Sequence, residues 1–334
     1  MEEWLNQSYE QGLVSVIIPC HNVEQFLPTC LESVNDQDYR PLEVIIVDDG
    51  SSDRTSQIMS NFQSTQKDGL VVKCFYQLKQ GAPHARNVAC RQSQGEFIQF
   101  LDGDDILCSN KLSEQVAIFK NDSEVDVVYG DGQYLIINRG GDGRKGRVIS
   151  IGHSSDIIES MLTGAWVPVF SYLSRRSSVQ RCGPWDIKIK INQDYEYFLR
   201  MAMQGCRFYY KTGITGLYRK HSLNSISEQS ISLRGRTRQV ILTKAELFLR
   251  EKGEFKENRI LAMAENYRRI ARSVYPMDME CFKSSLDYVL KIYPNYRPRG
   301  RKARLISSIM GFRNYEKVAA IINRMNYKTR VDWF

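Results

Sequence analysis

Residues Phe100–Leu107 read FLDGDDIL, and three carboxylates lie within four positions of this stretch. They are Asp102, Asp104 and Asp105, and apolar residues flank them on both sides. Two carboxylates about 4 Å apart repel each other by roughly 4 kcal/mol at an effective dielectric constant near 20. The stretch also reads as the end of a buried strand, so we expect a compensating positive group where this strand ends.

The sequence before FLDGDDIL alternates between strand and helix patterns. Continuous apolar runs rich in β-branched residues are typical of fully buried strands, and they predict strands over 14–19, 42–47, 70–76 and 96–101. Helically spaced apolar residues predict helices over 24–37 and 82–94. A further helix is predicted to end at about 62, and its cap candidates are Ser51, Ser52 and Asp53. This alternation predicts an α/β fold with a mostly parallel, doubly wound, Rossmann-like sheet.

Polar residues follow three of the predicted strands, at Pro19–Asn22, Asp48–Ser52 and Asp102–Asp105. Ligands of such sheets bind beyond the carboxyl ends of the strands, so we expect these residues to meet at one edge. Mg²⁺ and Mn²⁺ take oxygen ligands and often share them with substrate phosphates. The acid cluster therefore predicts a divalent cation site. The alternative is that one of the acids caps the helix predicted over 109–120.

The alternation continues less regularly after the acid cluster. Strand patterns follow at 125–130, 133–138 and 146–151, and helix patterns at 109–120, 154–162 and 192–204. The glycine-rich, charged segment 139–146 predicts a turn or an exposed loop.

The C-terminal third differs in charge and pattern from the rest. Residues 231–334 carry 23 basic and 10 acidic side chains, whereas residues 1–230 carry 23 and 28. This C-terminal third has a helical pattern, and apolar residues recur about once per helical turn across 302–327. We predict one domain over 1–228 and a basic, mainly helical C-terminal extension over 229–334.

A basic region of this kind suits an anionic partner. The candidates are the headgroup layer of a membrane and an acidic protein, and a solvated helical bundle is the alternative. We do not expect nucleic acid binding, because the sequence lacks the signature of a nucleic-acid-binding fold.

Several classes of protein are disfavoured by missing motifs. The sequence contains neither GxxxxGK[ST] nor a GxGxxG after the first strand, so a P-loop or dinucleotide-binding protein is not expected. No run of 18 apolar residues predicts a membrane span, and the acidic, polar N-terminus is unlike a signal peptide. We therefore expect a cytoplasmic location.

The eight scattered cysteines lack CxxC spacing and predict reduced, mostly buried thiols.

Five motifs, taken in order, resemble those of family-2 glycosyltransferases with the GT-A fold. They are VSVIIPCHN (14–22), LEVIIVDDGSSDRT (42–55), GAPHARN (81–87), FLDGDD (100–105) and NQDYEYFLR (192–200). The resemblance covers about 14–225 and divides the first domain into a nucleotide-donor half, 14–107, and an acceptor half, 108–228. It implies an inverting transfer of a sugar from a nucleotide sugar, assisted by Mg²⁺ or Mn²⁺.

The resemblance also implies roles for individual residues. Contacts with the nucleotide sugar are implied for Pro19, His21, Asn22, Glu24, Asp49, Arg86, Asp102, Gly103 and Asp104. In this scheme Asp49 meets the base edge and Arg86 lies near the donor phosphates. The implied metal ligands are Asp102, Asp104, Asp105 and His221.

On the acceptor side the resemblance implies Asp194 as the catalytic base, with Arg200 orienting or neutralising it, and Trp166 and Trp185 flanking the cleft. The sequence departs from the family pattern at Gln193, where relatives often have an acid. Structural roles are the alternatives: helix caps for the acids, a surface position for Arg86, core positions for the tryptophans and a structural His221.

The reaction expected from these residues is sugar transfer to a glycan or a lipid-linked acceptor in the synthesis of envelope polysaccharides. UDP is favoured as the commonest nucleotide of the family, and the basic C-terminal region is the candidate for peripheral contact with the inner face of the membrane. One alternative is a non-catalytic nucleotide- or glycan-binding scaffold of the same fold. A nucleotidyltransferase is disfavoured because CHNVEQF, after the first strand, is not a glycine-rich basic loop.

Overall fold

The computed structural model describes residues 4–5, 8–64, 69–138, 143–220, 231–298 and 300–331. The first seven elements alternate strictly between strand and helix. They are β1 (Glu10–Cys20), α1 (Leu27–Asn35), β2 (Leu42–Asp49), α2 (Thr55–Ser64), β3 (Leu70–Gln77), α3 (Ala82–Gln92) and β4 (Gly95–Phe100).

The second half of the α/β part is less regular. Its elements are β5 (Ile106–Leu107), α4 (Lys111–Asn121), β6 (Val127–Ile137), β7 (Gly143–Ile149), α5 (Ile157–Leu162), β8 (Tyr172–Arg175), α6 (Arg176–Cys182), α7 (Gln193–Met203) and β9 (Phe208–Lys220). The two strands expected at 125–130 and 133–138 form one continuous strand, β6.

The described residues place all these strands in one mixed sheet of order β3-β2-β1-β4-β8-β6-β9-β5, with β7 paired to β6. Strands β3, β2, β1 and β4 are parallel to their neighbours within that group, whereas β8 pairs antiparallel with both β4 and β6. Strands β6 and β9 are again parallel. The expected α/β sheet of mostly parallel strands is confirmed.

The central strands are covered on both faces. Every residue of β2 is buried, and alternate residues of β1 and β2, such as Val16 and Val44, join one core with Leu27 and Leu31 of α1. Side chains alternate between the faces of a strand, so an apolar run without alternation has to be buried on both sides. This burial fixes the register in which the carboxyl ends of β1 and β2 align, with Cys20 opposite Asp48.

Helix α1 is shorter than the sequence predicted. The pattern indicated a helix over 24–37, but α1 begins at Leu27. Residues 22–24 are held in a loop by hydrogen bonds to residues 51–55, and Asn22 has a left-handed φ of 52°. Apolar periodicity does not register such contacts between distant loops.

The chain divides into two compact units. One comprises Met1–Ile157 and Ala165–Leu223, and the other comprises Ile158–Gly164 and Asn224–Phe334. The domain boundary expected at 228/229 falls in 221–230, outside the described residues.

The described part of the second unit includes five long helices: α8 (Ile231–Glu251), α9 (Glu257–Val274), α10 (Met279–Ile292), α11 (Arg301–Met310) and α12 (Phe312–Val331). The helical pattern expected across 302–327 is interrupted, because Gly311 adopts a positive φ of 81° between α11 and α12. Glycine tolerates this conformation without steric cost. Among the described residues, no helix has both the length and the hydropathy that a membrane span requires.

Helix α12 is held to α9 by buried ion pairs. Glu316 is fully buried and accepts a hydrogen bond from Arg272 at 3.0 Å, with Arg268 at 3.5 Å.

Glu265 is 5% exposed and is hydrogen-bonded to Arg268 and to the hydroxyl of Tyr296. These partners outweigh burial and lower the pKa of Glu265 from 4.5 to about 2.

The low pKa of Glu265 predicts acid sensitivity of this helical unit. A carboxylate with a depressed pKa stabilises the fold above its ordinary pKa, and the contribution disappears as the pH falls toward the depressed value. We expect the free energy of unfolding to lose about 2 kcal/mol from this group between pH 6 and pH 3. In urea titrations, Glu265→Gln should show a correspondingly flatter pH profile, whereas the exposed control Glu280→Gln should not. Parallel profiles for Glu265→Gln and wild type would contradict this assignment.

All eight cysteines are free thiols, and six of them are buried. The expectation of unpaired, mostly buried cysteines is confirmed.

Candidate active site

The loops after β1 and β2 are joined by mutual hydrogen bonds. The side chain of Asn22 accepts a hydrogen bond from the backbone of Ser52 at 2.8 Å. Glu24 donates its backbone N–H to Asp53 at 3.1 Å and accepts one from the backbone of Arg54 at 2.9 Å. Asn22 and Glu24 thus shape the edge of the sheet, and their contact with a donor stays a prediction.

Pro19 and His21 lie at the same edge. Pro19 is the next-to-last residue of β1 and pairs with Val47 of β2. The Nε2 atom of His21 lies 2.7 Å from Nζ of Lys79, which belongs to the loop after β3. Sequence reasoning did not single out Lys79, although it brings a positive charge to this edge.

Asp49 fastens the loop between β3 and α3. Its carboxylate accepts hydrogen bonds from the side chain of Gln77 at 2.6 Å and from the backbone of Gln80 and Gly81, both at 2.7 Å. Nδ1 of His84 lies 3.0 Å from Oε1 of the same Gln77 side chain. Asp49 is 3% exposed. The structure therefore gives it a loop-holding role, and recognition of a base edge stays a prediction.

The three acids of FLDGDDIL converge after β4. Carboxylate oxygens of Asp102, Asp104 and Asp105 all lie within 4.8 Å of one another. Asp105 is 1% exposed, and its Oδ1 accepts a hydrogen bond from the backbone of Arg219 at 2.9 Å. Its Oδ2 is buried and has no hydrogen-bond partner in the described part of the chain. Burial and the neighbouring Asp104 raise the pKa of Asp105 well above its usual value.

This arrangement fits a hard divalent cation. Oxygen ligands are those that Mg²⁺ and Mn²⁺ prefer, and a buried carboxylate oxygen without a donor is costly unless a cation or a proton compensates it. The capping alternative is wrong: α4 begins at Lys111 with Asn110 at the cap, well beyond Asp104 and Asp105.

Gly103 lies in the tight turn between the acids. A Cβ atom at this position would be 3.2 Å from Sγ of Cys20 and 3.4 Å from Cγ2 of Val23. The chain after β1 therefore packs closely beneath the acid turn. A larger residue at Gly103 would therefore require its neighbours to shift.

Arg86 connects the acid cluster to α7. It is 3% exposed and donates hydrogen bonds to Asp102 at 2.5 Å and to the side chain of Gln193 at 2.6 Å. The surface position considered for Arg86 is therefore excluded. Gln193, where the sequence departs from the family pattern, supplies a neutral acceptor for this arginine beside Asp194.

Asp194 lies in the first turn of α7, next to Gln193. Burial raises the pKa of the Asp102 carboxyl, and the charges of Asp104 and Asp194 add to this rise. The positive end of the helix dipole stabilises a carboxylate at this position. Asp194 is partly exposed, and its role as the base stays a prediction.

Trp185 is a core residue beneath Arg86, contrary to the expected place at the acceptor cleft. It is 2% exposed and stacks on Tyr197 with a ring separation of 4.1 Å. The guanidinium carbon of Arg86 lies 4.5 Å from its ring centre. Asn87 of the same ARN motif exchanges two hydrogen bonds with the backbone of Trp185. Trp185 thus supports Arg86 and has no open face for a sugar.

The sequence predicts that Arg200 orients or neutralises Asp194, but the structure gives Arg200 other partners. Its guanidinium binds Glu196 at 2.8 Å and the backbone carbonyls of Cys182 and Pro184 at 2.5 and 3.0 Å. At 100° per residue, positions six apart on a helix point in directions about 120° apart, whereas positions four apart share a face. Arg200 therefore meets Glu196.

The remaining predictions on this side have mixed outcomes. Trp166 is partly exposed and contacts the edge of Tyr218, with ring centres 5.8 Å apart, so its acceptor role stays a prediction. His221 lies outside the described residues.

Sequence reasoning missed Arg219. Its backbone N–H donates to Asp105, and its guanidinium carbon lies 4.9 Å from the ring centre of Phe26. Its place two residues before His221 was the available signal.

A curled α/β sheet with acids and an arginine at its edge defines a glycosyltransferase of the GT-A type. The sequence pattern of Glycosyl transferase family 2 matches residues 15–226. This is more than half of the chain, which therefore belongs to that family.

Curated relatives are similar over parts of their length. An uncharacterized glycosyltransferase of Haemophilus influenzae is 29% identical over 187 residues, which are 56% of this chain and 70% of the relative. The UDP-Glc:alpha-D-GlcNAc-diphosphoundecaprenol beta-1,3-glucosyltransferase WfgD of Escherichia coli is 36% identical over 38% of this chain and 47% of its own length. A GalNAc(5)-diNAcBac-PP-undecaprenol beta-1,3-glucosyltransferase of Campylobacter jejuni is 40% identical over 30% and 32%.

Solved structures share the fold. TarS 1-349 of S. aureus in complex with UDP-GlcNAc has a TM-score of 0.64 at 19% identity, covering 93% of this chain and 88% of its own. The mannosyltransferase PcManGT of Pyrobaculum calidifontis, in complex with GDP-Man and Mn²⁺, has a TM-score of 0.52 at 17% identity, covering 93% and 86%.

Proposed function

We propose that this glycosyltransferase moves a sugar from a UDP-sugar to a lipid-linked glycan, with inversion at the anomeric carbon. The observation that carries the proposal is the convergence of Asp102, Asp104 and Asp105, joined through Arg86 to the helix that bears Asp194. UDP and the lipid-linked acceptor are supported by the name of WfgD, and the acceptor also by that of the Campylobacter relative.

Asp102, Asp104 and Asp105 would hold Mg²⁺ or Mn²⁺. Such a cation, when bound, offsets the negative charge that grows on the departing nucleoside diphosphate. Arg86 adds a fixed positive charge beside Asp102, in a position that Trp185 and Gln193 hold. A preorganised charge of this kind costs no rearrangement during the reaction.

Asp194 would accept the proton of the attacking hydroxyl. A general base has to lie within hydrogen-bond reach of that proton and to be ionised at working pH. Attack from the face opposite to the leaving diphosphate inverts the anomeric centre, as in inverting glycosidases. A lipid-linked acceptor would place the reaction at the cytoplasmic face of the membrane.

The proposal is tested by incubating the full chain with UDP-, GDP- and dTDP-sugars and Mn²⁺, with and without an undecaprenyl-diphosphate-linked glycan. We expect release of UDP and a mass increase of the acceptor by one sugar, both lost with EDTA. Donor binding without release or transfer from any donor would favour the non-catalytic scaffold instead.

Arg86→Lys tests the role assigned to the guanidinium. Lysine keeps the charge but cannot bind Asp102 and Gln193 together or stack flat on Trp185. We expect kcat/KM for transfer to fall about tenfold to a hundredfold. Arg91→Lys is the matched control, because Arg91 is exposed on the same helix and its replacement should leave kcat/KM unchanged. Equal rates for the two variants would remove Arg86 from the reaction.

A further inference from the structure

Helices α11 and α12 bury small or charged residues and expose aliphatic ones. On α11, Ser307 is 9% exposed, whereas Leu305 and Ile309 are 63% and 78% exposed. On α12, Glu316 is fully buried and Ala320 is 2% exposed. A surface helix of a globular protein normally turns its apolar stripe inward and its charges outward. Neither helix turns its larger aliphatic residues inward in this way.

The docking of α12 to α9 determines which side of α12 is buried. Glu316 faces Arg272 and thereby fixes which side of α12 is buried. At 100° per residue, Val318, Ile321 and Ile322 point about 120° to 160° away from Glu316. They are 41%, 46% and 51% exposed. The buried ion pair therefore holds the aliphatic side of the helix in solvent.

Basic residues accompany the exposed aliphatic ones. Between residues 301 and 324 the only acid is Glu316, which is buried and paired. The basic residues of this segment are Arg301, Lys302, Arg304, Arg313, Lys317 and Arg324. Of these, Arg313 is paired with Asp287. Both helices therefore carry exposed aliphatic side chains among mostly basic charged residues.

We propose that this surface, formed by Leu305, Ile306, Ile309, Val318, Ile321 and Ile322, lies on an anionic lipid bilayer. An amphipathic helix with a basic polar face buries its aliphatic side chains at the boundary of headgroups and acyl chains, and its basic residues attract anionic lipids. A symmetric contact with a second copy is less favourable. It would bring the same basic residues of both copies together.

A lipid-linked acceptor is presented at the surface of a bilayer. The role of bilayer binding in sugar transfer therefore rests on the proposed function. Binding to the bilayer itself does not require transfer. The two ideas can therefore fail independently.

The experiment is flotation of the full chain with vesicles of phosphatidylglycerol and phosphatidylcholine, compared with phosphatidylcholine alone. We expect binding to the anionic vesicles, weakened by high salt. Leu305→Ser combined with Ile309→Ser should reduce the partition coefficient about tenfold or more. Lys302→Gln combined with Lys317→Gln should reduce it about tenfold or more on anionic vesicles.

Leu247→Ser is the matched control, because Leu247 is an equally aliphatic residue, 58% exposed, on α8. It should bind vesicles like the wild type. Thermal unfolding by circular dichroism verifies that each variant is folded. Transfer to a water-soluble glycan should persist in the Leu305→Ser, Ile309→Ser variant. Absence of transfer in every form, with vesicle binding intact, would refute the proposed function alone.

Three results would overturn the proposal. The wild type could fail to float with anionic vesicles, or Leu247→Ser could reduce binding as much as the paired α11 substitutions. Light scattering could also show a dimer that Leu305→Ser and Ile309→Ser dissociate, without any vesicle binding. That last result would assign the surface to a second copy of the chain.

Discussion

Replacement of Asp194 by asparagine is expected to abolish sugar transfer while leaving donor binding intact. Asparagine has nearly the same shape and still suits the first turn of α7, but it cannot take the proton of the acceptor hydroxyl. Loss of a general base costs about 10² to 10⁴ in rate. The measurement pairs kcat for transfer with the dissociation constant of UDP-sugar and Mn²⁺, obtained by calorimetry.

Glu196→Gln is the control for this prediction, because Glu196 lies on the same turn of α7 but is committed to Arg200. Its loss should lower the unfolding temperature and leave kcat of the folded enzyme within a few-fold of wild type. Full activity of Asp194→Asn would remove Asp194 as the base.

Replacement of Asp104 by alanine is expected to remove the dependence of donor binding on metal. The three carboxylates share one small volume, and losing one weakens the hold on a cation and on the diphosphate that shares it. We expect wild-type affinity for a UDP-sugar in Mn²⁺ to exceed that of Asp104→Ala about tenfold to a hundredfold. EDTA should bring the wild type down to the level of the variant.

Asp122→Ala is the matched control, because Asp122 is a partly exposed acid that directly follows α4 and pairs with Arg207. Its affinity should equal that of the wild type. Unchanged affinity of Asp104→Ala in Mn²⁺, with unchanged sensitivity to EDTA, would contradict the metal role of the cluster.

The strands could be predicted from the sequence because full burial leaves a clear pattern. The run LEVIIV at 42–47 needs a partner on both faces, and β2 is indeed buried throughout. The same reasoning placed polar residues at the ends of β1, β2 and β4, with acids at the last two. Parallel strands end at one edge, so residues far apart in sequence meet there without any further signal.

The roles of Trp185 and Arg200 could not be predicted, because they depend on which partner each side chain meets. An aromatic residue near a cleft can be a platform for a sugar or part of the core. Only the stacking on Tyr197 and the contact with Arg86 decide for the core. Helical periodicity favours Glu196 over Asp194 as the partner of Arg200, but the motif drew attention to the catalytic acid instead.

The C-terminal helices show a different limit of sequence reasoning. Apolar spacing across 302–327 indicated a helix. The structure breaks the helix at Gly311 and turns the aliphatic residues outward, because Glu316 pairs with arginines of α9. Periodicity identifies the two faces of a helix but not which of them is buried.

The central claim is most directly tested by the anomeric configuration of the transferred sugar. The wild-type enzyme is incubated with an α-linked UDP-sugar, Mn²⁺ and an undecaprenyl-diphosphate-linked glycan, and the new linkage is assigned by proton NMR. We predict a β-linked product that forms only with divalent metal and not with Asp194→Asn. An α-linked product, or a product whose formation is independent of Asp194, would contradict direct attack assisted by this base.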